Sequence, residues 1–183
     1  MTGENSNEND TATHPDVAPR FHWWTPLIGR NPKNTVIRAA TLVAVCFVVF
    51  RFIALPVRVR GTSMEPTYRN GAVNLINRLS FVRTKPKRGD VVGVTFTGES
   101  VQLLKRIVAL PGERFSVRNG VVQINGAPLR EPYTTVNEHW TTKTERELRA
   151  LEYVVIGDNR TMDMNLHTWG VVDRRRIVGK VVF

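Results

Sequence analysis

The sequence predicts an all-β fold: a compact, barrel-like domain of short, mostly antiparallel strands, preceded by one N-terminal transmembrane helix and a disordered tail. Three observations predict it. From about residue 57 the apolar residues fall into short Val-, Ile- and Leu-rich runs separated by turn residues. Two Asn-Gly pairs, Asn119-Gly120 and Asn125-Gly126, punctuate one such stretch. That dipeptide is the strongest short-range hairpin signal, because both turn positions need a positive φ. A single long apolar run lies nearer the N-terminus, with one charge inside it.

Residues 1–30 form the predicted tail. Residues 1–20 are polar and bury too little apolar surface to offset the entropy of ordering. Trp23 and Trp24 read as interfacial anchors at a membrane entry. The run "RAATLVAVCFVVFRFIALPVRVR" supplies a transmembrane helix expected over 36–57. Between Ala39 and Val57 only Arg51 is charged. Such a length, at about 1.5 Å per residue, approaches the hydrocarbon thickness of about 30 Å. Arg51 is near enough to the far end to snorkel toward that interface. A cleaved signal peptide would have a shorter apolar region, followed by small residues at a cleavage site. This run ends in "LPVRVRG" after a long polar tail, so an uncleaved anchor is expected. Arg30, Lys33 and Arg38 flank one side and Arg58 and Arg60 the other, so the positive-inside rule sets no orientation.

The domain over 58–183 is expected to be β-rich. "AVNLINR" (72–78), "DVVGVTF" (90–96) and "VQLLKRIVAL" (101–110) read as strands. "RFSVRNGVVQING" reads as a hairpin turning at Asn119-Gly120, with a second turn at Asn125-Gly126. "EYVVIGDN" (152–159) and "RIVGKVVF" (176–183) complete the set. The one stretch with helical character is "KTERELRAL", 143–151.

The 183 residues carry a formal net charge of +10, with a pI of about 10.6. The excess lies in residues 58–183, with 21 cations and 12 anions, whereas residues 1–38 balance. Strong basicity raises nucleic acid as a partner. Here the cations are scattered through strands instead of clustered in one arm. The expected partner is therefore an anionic lipid bilayer surface and not nucleic acid. A single cysteine, Cys46, excludes an intrachain disulfide.

"RGTSMEPTYRNG" and "QLLKRIVALPGE" carry the candidate chemistry. A serine hydroxyl such as that of Ser63 is a poor nucleophile until a base takes its proton. None of the histidines, His14, His22, His139 and His167, has the surrounding turn that fixes a base, although the members of a Ser/His/Asp triad can come from anywhere in a chain, which leaves that alternative open. Lys105 stands inside an apolar run, among Leu103, Leu104, Ile107 and Val108. Burial there would disfavour its ammonium and free it to act as a base. Strand alternation puts Lys105 and Arg106 on opposite faces.

"GTSMEPTYRNG", "RGDVVGV", "LLKRIVALPGE" and "YVVIGDNR" follow in this order after the apolar run. The set closely resembles type I signal peptidases, membrane-bound Ser/Lys-dyad proteases that remove signal peptides from exported proteins. The resemblance covers about residues 35–183. It implies Ser63 as nucleophile, with its N–H in an oxyanion hole, and Lys105 as general base. Met64, Leu103 and Leu104 would line a shallow pocket for a small residue, and Arg106 and Asp158 would brace the site. It implies no metal or cofactor, signal peptides of exported preproteins as partners, and a single-pass cytoplasmic (inner) membrane location. The peptidase domain, 58–183, would then lie on the extracytoplasmic side.

The last box departs from the family pattern. An ungapped alignment through "GDNRTMDMNLHTWG" puts Asp163 where the family has a serine beside the catalytic lysine. Asn165, Leu166 and His167 stand in place of Asp, Ser and Arg. Asp163 is therefore expected beside Lys105, where an ionised carboxylate would hold the ammonium. Thr161 and Thr168 are the candidate substitutes for the missing hydroxyl. Two rivals follow: a catalytically impaired, membrane-tethered relative that binds a peptide or partner, and a self-cleaving repressor-type Ser/Lys protease. The latter would need a DNA-binding region where this chain has its apolar run.

Overall fold

The computed structural model describes residues 32–96, 102–134, 139–165 and 167–182. The tail expected over 1–30, with Trp23 and Trp24, lies outside the described residues. The chain falls into two compact units, Met1–Val43 and Ala44–Phe183.

The apolar run forms helix α1, Pro32–Val48, which continues through a π-helical turn, Val49–Ile53. Lys33–Ile53 is 21 residues long with a mean hydropathy of 2.2, enough by length and composition to cross a membrane. Its large side chains are bare, with Val36, Ile37, Leu42 and Val43 each more than 60% exposed. The helix ends four residues before the expected boundary of 57. Ala54–Arg58 instead form strand β1, paired antiparallel with β2, Val73–Asn77, from Ala54↔Asn77 to Arg58↔Val73. Pro56 explains the stop: it has no N–H to give a helix and disfavours helical backbone at Leu55. Arg51 thus sits in the last turn.

The other strands are β3 (Val91–Thr95), β4 (Gln102–Ala109), β5 (Arg114–Arg118), β6 (Val121–Ile124), β7 (Ala127–Pro128), β8 (Arg146–Glu147), β9 (Glu152–Ile156), β10 (Gly170–Asp173) and β11 (Ile177–Val181). They make two antiparallel sheets, in the orders β1-β2-β11-β3-β4-β9-β10 and β7-β6-β5-β8. The hairpin turns where expected, with positive φ at Asn119, Gly120, Asn125 and Gly126.

The stretch 143–151 is not helical. Arg146 and Glu147 pair with Phe115 and Arg114 of β5, and Leu148 exchanges backbone hydrogen bonds with Gly112 and Glu113. Only Leu148 of the stretch is buried. So short a helix is marginal by itself, and strand pairing wins.

One core cluster packs Phe115, Val117 and Val122 of the small sheet against Val108, Ala109, Val154 and Ile156, with Trp140 and Leu148. A second gathers Val92, Val94, Ile107, Tyr153 and Val155. A third holds Val59, Met64, Ile76, Val91, Leu104 and Val181. The β4–β9 register, Arg106↔Ile156, brings the Gly157-Asp158-Asn159-Arg160 turn to the strand position that carries Lys105 and Arg106.

Candidate active site

Ser63 follows β1, in the turn that leads toward β2. Gly61 makes that turn possible at φ +89°, a left-handed conformation that a side chain resists, and its N–H donates to Asn70 Oδ1. Two bonds then tie this turn to a segment nearly a hundred residues away: the Asn159 N–H donates to the Ser63 carbonyl (3.1 Å), and Asn159 Nδ2 to the Thr62 carbonyl (3.1 Å).

Lys105 is 1% exposed, and its Nζ lies 2.8 Å from Ser63 Oγ. Its neighbour Arg106 forks onto Asp158, with Nε to Oδ1 at 2.8 Å and Nη2 to Oδ2 at 2.5 Å. Arg106 also donates to the Gly89 carbonyl and stacks at 4.0 Å over the Tyr133 ring, while Thr67 donates to Asp158 Oδ2. Asp158 is wholly buried, so both its oxygens are satisfied inside the protein. Met64 and Leu104 pack in the third core cluster, whereas Leu103 is half-buried.

Asp163 is placed differently from the ungapped expectation. It is exposed, and its Oδ1 accepts the N–H of Asn165 two residues on, closing a local turn, whereas Lys105 is buried. Thr161 donates to Asn159 Oδ1, and Thr168 is exposed. Among the described residues of this loop, the one that the fold buries near Lys105 is His167, 4% exposed. Burial, with the positive charges of Lys105 and Arg160 beside it, pushes its imidazole down to about 3. Its Nε2 accepts the Gly157 N–H at 3.0 Å, so that nitrogen has no proton and no free lone pair for the serine. His139 is exposed, and His14 and His22 lie outside the described residues.

Sequence reasoning missed three further members. Arg160, 1% exposed, donates through Nε to the Gly157 carbonyl (2.8 Å) and through Nη2 to Glu131 Oε1 (2.7 Å). Trp140 anchors the loop, donating from Nε1 to the Met162 carbonyl and standing edge-on to His167. Only the Gly-Asp-Asn-Arg run hinted at Arg160; nothing local marked Glu131 or Trp140. Among the described residues, no cluster of three or more His, Cys, Asp or Glu is arranged to hold a metal.

Known proteins resemble this chain over most of its length. The family model described as "Signal peptidase, peptidase S26" matches residues 33–183. Signal peptidase I of Leptolyngbya laminosa is 30% identical over 186 residues, covering 97% of this chain and 91% of that protein. Signal peptidase IB of Staphylococcus aureus (strain Mu50) is 28% identical over 165 residues, covering 81% and 86%. A solved signal peptidase I from Enterococcus faecalis V583 aligns with a TM-score of 0.44 at 23% identity, over 54% of this chain and 98% of that one. The chain therefore belongs to the signal peptidase family, peptidase S26, and is a serine endopeptidase of the signal peptidase I type.

Proposed function

We propose that this chain removes signal peptides from exported preproteins by acyl transfer through Ser63, with Lys105 as the general base. The observation that carries this reading is the 2.8 Å approach of Lys105 Nζ to Ser63 Oγ, with the lysine 1% exposed. Burial of an amine favours its uncharged form, the form that can accept a proton. Lys105 takes the Ser63 proton as Oγ attacks the scissile carbonyl. The Ser63 N–H donates to the oxyanion of the tetrahedral intermediate. The lysine ammonium then returns its proton to the departing amine, leaving an ester on Ser63. A water that gives its proton to Lys105 attacks the ester, and collapse frees the acid and restores Ser63.

Arg106 and Asp158 brace the pair by joining β4 to the Gly157–Arg160 turn. Met64, Leu103 and Leu104 border the pocket for a small residue before the cut. Residues 1–30 form a polar tail, the apolar helix within 36–57 anchors the chain in the cytoplasmic membrane, and 58–183 work on the extracytoplasmic side. The 21-residue apolar span and the basic β unit, whose cations are scattered through the chain instead of clustered in one arm, support a lipid partner over nucleic acid.

The test is incubation of the full chain, purified in detergent, with a preprotein, comparing wild type with Ser63→Ala and Lys105→Ala. Cleavage by wild type and its loss in both folded variants is expected. Full cleavage by folded Lys105→Ala would sink the Ser/Lys mechanism. Uncut preprotein with all three would favour the tethered binding module. External protease on spheroplasts should digest the β unit, and its protection would reverse the orientation.

A further inference from the structure

His167 stands in the divergent last box, where the family pattern gives it no role, yet it is among the few polar side chains buried at the site. Its Nε2 accepts the Gly157 N–H at 3.0 Å. A ring nitrogen that accepts has no proton, so the neutral imidazole carries its proton on Nδ1. The chargeable groups that face it are Arg160 from the Gly157–Arg160 turn, a cation throughout, and Lys105 from β4, a cation once it has taken the Ser63 proton. An imidazolium would therefore meet Arg160, and during acylation the Lys105 ammonium as well, and would turn an N–H toward the N–H of Gly157. The site holds this histidine neutral.

Gly157 is the link to the chemistry. A Cβ built on it would collide with the Ser63 carbonyl oxygen and lie 2.6 Å from His167 Nε2. The glycine backbone is thus pressed between the nucleophile's own carbonyl and the imidazole. Two residues on, the Asn159 N–H holds that same carbonyl. On the far side, the His167 ring stands edge-on to Trp140, at 5.1 Å and 78°, which fixes its direction.

We infer that His167 is a positioning residue for the Ser63–Lys105 pair: its bare Nε2 grips Gly157, and Gly157 seats the Ser63 carbonyl so that Oγ meets the lysine amine. This rests on the Ser/Lys reading. The imidazole transfers no proton. It supplies a neutral acceptor at a place where a cation would oppose the Lys105 ammonium that forms on proton transfer and an apolar group would leave a buried N–H unpaired.

The test uses the full chain in detergent and a preprotein substrate, with His167→Gln and His167→Leu. Glutamine offers a neutral acceptor; leucine offers none. His167→Leu should lower kcat by roughly 100-fold, the scale for a catalytic group misplaced by about 1 Å, with KM nearly unchanged. His167→Gln should restore most of kcat. In ¹⁵N spectra of histidine-labelled protein, His167 should show the neutral Nδ1–H tautomer unchanged from pH 8 to pH 5. Wild-type kcat in folded His167→Leu, a glutamine variant as slow as the leucine one, or an Nε2-protonated ring would each overturn the role. If His167→Leu does not fold, the glutamine variant and the tautomer decide. A dead Ser63→Ala beside a fully active His167→Leu overturns this role alone, whereas cleavage by Ser63→Ala overturns the dyad reading itself.

Discussion

The four-stranded sheet and the Lys105 end of the seven-stranded sheet each bury a set of side chains, but they bury different chemistry. In the small sheet, what leaves water is mainly apolar: Phe115, Val117 and Val122, packed on Val108, Val154 and Trp140. Its turns are local, two Asn-Gly pairs with positive φ. Around Lys105 the buried groups include Lys105, Asp158, Arg160 and His167, each at 4% exposure or less. Their partners are far off in sequence, 42 residues for Lys105 and Ser63, 52 for Arg106 and Asp158, 29 for Arg160 and Glu131. Burying charge costs several kcal/mol per ion unless it is paired and hydrogen-bonded. The small sheet is the kind of structure a chain forms to be stable. The other region is held at a cost in stability, and its pairing keeps an amine and a hydroxyl in contact.

The contrast is sharpest at Gly157. Gly157→Ala should bring cleavage to background, because its Cβ cannot coexist with the Ser63 carbonyl and His167. A preprotein assay on the folded variant checks this, and wild-type rates would mean that the turn has room to give.

Two substitutions of similar cost in stability should then part in activity. Asp158→Ala strands the Arg106 guanidinium, which is 11% exposed, and should cost about 3–5 kcal/mol. Phe115→Ala in the small sheet empties core volume and should cost about the same, 3–5 kcal/mol. Cleavage per folded molecule should fall sharply in Asp158→Ala and stay near wild type in Phe115→Ala. Denaturation midpoints and kcat, measured side by side, decide it. Equal losses of kcat would erase the distinction between the two regions.

The smallest effect is acid sensitivity. His167 binds its proton near pH 6.5 when unfolded but only at about 3 when folded. Between those values the unfolded state holds the extra proton, so stability falls as pH falls through that window. From pH 7 to pH 4.5 this histidine should remove roughly 2–3 kcal/mol. His167→Gln should lose correspondingly less over the same interval, read from urea midpoints at the two pH values. Parallel losses would mean that His167 titrates normally.

The strands were legible because a pleated strand declares itself in a handful of neighbours, as "AVNLINR", "DVVGVTF" and "EYVVIGDN" do. Ser63 and Lys105 were legible as a motif, and Arg106 with Asp158 by resemblance. The last box misled. Its register through Trp169-Gly170 put Asp163 at the lysine, but an aspartate two residues before a free N–H closes its own turn and stays in water. His167 had no pattern around it, because what makes it notable is the Gly157 N–H and the Lys105 and Arg160 side chains brought beside it.

By itself, the sequence determined the apolar helix, seven of the eleven strands, the Asn-Gly turns and the family, since each rests on near neighbours or short motifs. Only the tertiary structure decided that the helix yields to β1 at Ala54, that 143–151 pairs with β5, and that His167, Arg160, Glu131 and Trp140 surround the site. The physical reason is the same in each case. A backbone hydrogen bond to a distant strand, or the burial of a charge against a distant partner, outweighs local preference, and neither is written in the residues on either side.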